Sequence, residues 1–92
     1  MGVVQTFGQE PDPAKRLKQR WGSRMKATRK TRGLTLEQLA AQMTDAGYTV
    51  TAAAISQWEN GIYTPRHHLQ VGWCKVTGRV HGEVFTYDDE AA

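Results

Sequence analysis

The apolar positions of this chain recur mostly at intervals of three and four, the spacing of helices that bury one face. Over residues 13–31, Ala14, Leu17, Trp21, Met25 and Thr28 fall on one narrow stripe. Asp12 is placed to cap that helix, Pro13 suits its first turn, and Arg32-Gly33 ends it. Gly22 interrupts the pattern at a cost of about 1 kcal/mol relative to Ala, so the helix is expected to begin or bend there. A second helix follows Thr35. Thr35-Leu36-Glu37-Gln38 is a capping box, in which the hydroxyl bonds forward and the amide reaches back. Leu36, Leu39, Ala40 and Met43 make the inner face of this helix, and Gly47 terminates it. A third helix starts after Thr51, buries Ala54, Ile55 and Trp58, and stops at Gly61. Pro65 predicts the opening of a fourth over residues 65–77, with Leu69, Trp73 and Val76 inward and Thr77-Gly78 at its end.

The pattern changes after residue 80. Residues 82–87 alternate enough for a short strand, and a lone strand needs a partner. Either it pairs with the same strand of a second subunit, or the segment is a tail that packs Val84 and Phe85 on the core. The expected fold is all-α: a compact bundle of four to five helices containing a helix-turn-helix, with that short extension. Residues 1–12 read as a flexible arm, 13–80 as the folded domain, and 81–92 as an extension disordered from Asp88 onward.

Composition narrows the class. A chain of 92 residues, 39% hydrophobic, suits one domain with one modest core. No apolar run approaches the roughly 20 residues of a membrane span, and the N-terminus lacks a signal-peptide pattern. With a single cysteine, Cys74, a reducing, cytoplasmic setting is expected. Net charge is only +3, but residues 15–32 hold nine of the twelve Lys and Arg and no acid. Residues 83–90 hold four of the nine acids and no base. Such asymmetry fits either a polyanion partner or a solvated basic helix face.

The third helix carries the candidate chemistry. Its outer face holds Ala52, Ala53, Ser56 and Gln57, which are small, neutral and hydrogen-bonding. A face that slim, tipped with Gln, fits the major groove of DNA; a small-residue helix packed between two others is the alternative.

At this point the residues resemble a known family. Arg29, then Gly33-Leu34-Thr35-Leu36-Glu37-Gln38-Leu39-Ala40, then Ile55-Ser56-Gln57-Trp58-Glu59-Asn60-Gly61 and Pro65-Arg66, look like the DNA-binding domain of the Cro and phage-repressor helix-turn-helix family. The likeness covers roughly residues 24–77. It implies a compact bundle of about five helices that binds double-stranded operator DNA, usually as a homodimer. It also implies that the helix after Thr51 reads DNA, with Thr51, Ala52, Ala53, Ser56 and Gln57 toward the bases. Thr35, Leu36, Gln38, Asn60, Tyr63 and Arg66 fall near phosphates, with Arg24 and Lys26 as added basic contacts. Arg29 and Glu59 match a structural pair. Several features depart from the family pattern: Ala52 and Ala53 leave fewer hydrogen bonds toward the bases, and residues 63–80 match poorly in detail. Leu36 stands where relatives often carry Gln, and the turn over residues 44–50 is several residues longer than the short form.

The resemblance implies a transcriptional regulator, a repressor of phage or prophage type that blocks a promoter. The alternatives are an antitoxin that represses its own operon, and a protein-docking module without specific DNA binding. No enzyme, cofactor, metal or small-molecule ligand is expected. His67, His68 and Cys74 fall short of the four ligands of a structural zinc site, and no phosphate loop or dinucleotide fingerprint is present.

Overall fold

The computed structural model describes residues 12–87. The expected N-terminal arm, apart from Asp12, and the expected disorder of the acidic end lie outside the described residues. Five helices follow in order: α1 Pro13–Thr31, α2 Leu36–Asp45, α3 Ala52–Glu59, α4 His67–Thr77 and α5 His81–Val84. The protein is all-α, and no strand occurs among the described residues.

Local chemistry sets the helix starts. Asp12 accepts from the Ala14 amide at 2.9 Å, with Pro13 at the first helical position. The capping box at α2 is complete: Gln38 N donates to Thr35 Oγ1 at 3.0 Å, and Thr35 N donates to Gln38 Oε1 at 2.9 Å. Thr51 Oγ1 accepts from Ala54 N at 3.1 Å and opens α3. At the other end of α3, Gly61 turns the chain with φ 73°, a left-handed conformation costly for any residue with a Cβ.

The core gathers Trp21 and Met25 of α1, Leu39 and Met43 of α2, Ile55 and Trp58 of α3, and Trp73 of α4. Val84 and Phe85 complete it from the C-terminal side. The Trp21 ring meets Phe85 edge-on at 5.2 Å, and Trp73 meets the same ring at 5.7 Å. Trp21 Nε1 donates to Thr86 O at 2.9 Å, so the indole is satisfied as well as buried.

Four expectations are corrected by this packing. Residues 82–87 form no strand: His81–Val84 is one helical turn, and the following residues lie on the core. Two adjacent apolar side chains, Val84 and Phe85, both find buried places there, which period-2 alternation would forbid. α4 starts at His67, two residues after Pro65, because Arg66 is still extended and occupies the cap position. Pro65 itself is buried, and its carbonyl accepts from Gln70 Nε2 at 2.9 Å. Ala14 is exposed, so the buried stripe of α1 begins only at the half-buried Leu17. Finally, α1 runs through Gly22 without a break. A Cβ at Gly22 would lie 2.5 Å from Trp58 O and 2.6 Å from Glu59 O. The glycine lets the backbone at the end of α3 approach α1.

The long turn between α2 and α3 is folded back rather than loose. Tyr48 N donates to Met43 O at 2.8 Å, and the Thr44 hydroxyl bridges Val50 N and O, both at 3.3 Å. The Tyr48 ring lies over Gly72 of α4, where no Cβ would fit.

Candidate nucleic-acid interface

The orientation of α3 is fixed from behind. Ile55 and Trp58 are buried in the core, and Glu59 is buried against α1. Arg29 meets Glu59 through two parallel bonds, Nε to Oε2 at 2.8 Å and Nη2 to Oε1 at 3.0 Å. Their side chains are 12% and 3% exposed, so each charge depends on the other for solvation. The hydrogen bond to Glu59 is the main influence holding the Arg29 pKa above its ordinary value. Burial opposes it, and the charges of Glu59 and Glu37 assist. A third bond, Arg29 Nη1 to Leu34 O at 2.8 Å, ties the pair to the turn before α2.

With that inner face locked, the 100° step of a helix sends Ala53 and Gln57 almost opposite Ile55. Ala53, Gln57 and Asn60 are exposed and Ser56 is half-buried. Asn60 Nδ2 donates to Ser56 Oγ at 3.3 Å, which links two polar groups of this face. Ala52 stands apart: it is half-buried and packs beside α2. Thr51 is exposed, but its hydroxyl already accepts the cap bond. The outer surface is therefore Ala53, Ser56, Gln57 and Asn60, uncharged throughout.

The flanking groups divide by what they can offer. In the first turn of α2, the box engages the amides of Thr35 and Gln38; those of Leu36 and Glu37 have no intrahelical acceptor. The Leu36 side chain is half-buried against the core and apolar, so its backbone amide is the polar group it can offer. Glu37 is exposed in the same turn, a negative charge that reasoning about phosphate sites passed over. Beyond α3 the chain folds back, with Ile62 N donating to Gln57 O at 3.0 Å. This places Asn60, Tyr63 and Arg66, all exposed, on one segment leaving the C-terminal end of α3.

Arg24 and Lys26 do not share a surface. Two residues along a helix is about 200°, so the side chains leave opposite sides. Arg24 is half-buried, and its Nη1 donates to Val84 O at 3.1 Å, holding the C-terminal segment. Lys26 is exposed, on the same side of α1 as Gly22 and Arg29. Other basic groups are also engaged internally: Arg32 Nε donates to Thr77 O at 2.8 Å, and Arg79 Nη1 to Thr28 Oγ1 at 2.8 Å.

The close approaches of Gly22 to the end of α3 and of Gln19 to Gly61 are contacts that sequence reasoning missed. Gly61 sits so close to Gln19 that a Cβ there would lie 3.0 Å from Gln19 Cγ. No local signal announces either contact, because each joins segments far apart in the chain.

Cys74 is buried, and burial pushes its thiol pKa up, opposed by the charge of Arg79. Among the described residues no group of three or more His, Cys, Asp or Glu is placed to hold a metal ion. None of the described helices is long and apolar enough to cross a membrane.

A helix-turn-helix family model matches residues 25–66, from the second half of α1 to the segment just before α4. Comparison with curated proteins and with solved structures returns no match. The matched span contains α2, the long turn, α3 and the Arg29–Glu59 pair, the parts that set the outer face of α3. The match over residues 25–66 is to the helix-turn-helix family and supports a DNA-binding transcription regulator of the Cro and C1 type.

Proposed function

We propose that the protein is a sequence-specific repressor of phage or prophage type, acting by covering an operator and blocking polymerase. The observation that carries this reading is the neutral outer face of α3, held outward by the buried Arg29–Glu59 pair. In a major groove, Gln57 pairs bidentately with adenine, Ser56 hydrogen-bonds a base edge, and Ala53 meets a thymine methyl group. Ala52 and Thr51 lie at the edge of this contact. Asn60, Tyr63 and Arg66 take phosphates on one side, and the first-turn amides of α2 take them on the other, with the side chains of Thr35 and Gln38 shaping that turn. Lys26 adds a salt-dependent contact, whereas Arg24 serves the C-terminal segment. A homodimer would place two α3 helices on half-sites about 10 bp apart, or a multiple of that.

DNase I footprinting of the promoter region upstream of the gene, with transcription assayed on the same template, tests this. A protected palindrome overlapping the promoter, with transcript falling as protein rises, is the expected result. A footprint that leaves transcription unchanged or raises it refutes repression. No footprint at all removes operator binding and favours the protein-docking alternative.

A further inference from the structure

The structure holds a second feature that DNA recognition does not use. A hollow of about 580 Å³ opens where the N-terminal half of α1, the start of α4 and the C-terminal segment meet. That size lies within the range of small-molecule sites. Leu17, Trp21 and Pro65 form apolar walls, and Lys18, His67 and His81 supply the nitrogen groups. Among the described residues no acid lines it, and no residue of α2 or α3 does. Only Thr64 and Pro65 of its lining fall within the helix-turn-helix match, so what builds it lies mostly outside the family core.

Its polar side is organised. Gln70 is buried, with its Nε2 donating to Pro65 O at 2.9 Å. A carbonyl only accepts, so the Gln70 amide nitrogen is fixed on Pro65 and its oxygen faces His81 Nε2 at 2.7 Å. His81 Nε2 therefore carries a proton, and its ring is held in one orientation. The His67 ring meets His81 at 5.4 Å. On the apolar side, Trp21 is fixed by its bond to Thr86 O and by Tyr87 edge-on at 5.2 Å.

We infer that this hollow is a binding site for a small aromatic carboxylate, with its ring against Leu17, Trp21 and Pro65 and its carboxylate toward Lys18 and His67. The apolar walls select the ring. The Lys18 cation selects the charge. The site does not depend on how the protein reads DNA.

Titration of the full-length protein with phenylacetate, followed by amide and indole NMR shifts, tests it. Acetate, neutral 2-phenylethanol, and the variants Lys18→Gln and Lys75→Gln serve as comparisons. Phenylacetate has about ten non-hydrogen atoms, for which a saturating shift with a dissociation constant of about 1 mM is expected. The shifts should centre on Lys18, the Trp21 indole, His67 and His81. Lys18→Gln, with an unchanged circular dichroism spectrum, should weaken binding about tenfold by removing the charged hydrogen bond. Lys75→Gln should leave it unchanged, since Lys75 lies over Tyr48, outside the hollow. Equal binding of 2-phenylethanol, shifts centred elsewhere, no saturation, or unaltered affinity in Lys18→Gln would each overturn the assignment.

Discussion

α1 and α3 are opposites in charge and in duty. α1 carries most of the positive charge, yet two of its cations, and the one that follows it, are already engaged. Arg24 holds Val84 O, Arg29 holds Glu59, and Arg32, which follows the helix, holds Thr77 O. α3 has no cation at all, and its single acid, Glu59, is neutralised by Arg29. Part of the charge of α1 thus serves the scaffold, and in the proposed function the neutral helix supplies the base-reading surface. Charge density marks where a polyanion is attracted; recognition needs a slim face held in one orientation.

That division can be broken at graded cost. Glu59→Ala should have the largest effect, about 3–5 kcal/mol of stability, because it leaves Arg29 charged and nearly buried. Thermal melting should show it, and a Glu59→Ala protein that melts like the parent would remove the pair as the lock on α3. Gly22→Ala should follow at about 1–3 kcal/mol, net of a helix-propensity gain of about 1 kcal/mol, because the new Cβ meets backbone oxygens of Trp58 and Glu59. DNA affinity should fall with it, since α3 is what the methyl displaces; a more stable protein with unchanged binding would show that the close approach does not position α3. Gln57→Ala should cost about 1–3 kcal/mol on the cognate duplex and little on a shuffled one, with no change in melting. Equal loss on both duplexes would deny it base reading. The finest test contrasts two neighbours. Lys26→Gln should lower the slope of log affinity against log salt by about 0.9 and spare stability. Arg24→Gln should do the reverse, loosening the C-terminal segment; a salt-slope change for Arg24 alone would exchange their roles.

What could be read in advance was local. The caps at Asp12, Thr35 and Thr51 lie within three residues of the amides they satisfy, so sequence spacing suffices to find them. The two faces of α3 follow from its period. The pairing of Arg29 with Glu59, thirty residues apart, was suggested only by resemblance to a family. The unread features are non-local. Gly22 looks like a defect until the backbone of α3 is laid against it. For Val84 and Phe85 the sequence leaves a strand and a core-packed tail both open, and the aromatic floor of Trp21 and Trp73 decides for the tail. Arg24 belongs by composition to a basic face, and by contact to the C-terminal segment. The hollow beside Trp21 gathers residues from 14 to 87, which no window of sequence joins.

The central claim is that the uncharged face of α3 confers sequence preference. Fluorescence anisotropy tests it most directly, comparing a duplex selected from a random pool by the full-length protein with its shuffled counterpart, at two salt concentrations. The account predicts that the selected duplex binds about a hundredfold tighter or more and that this preference survives the higher salt. Equal binding to both duplexes, vanishing together as salt rises, would contradict it and leave only the basic surface of α1.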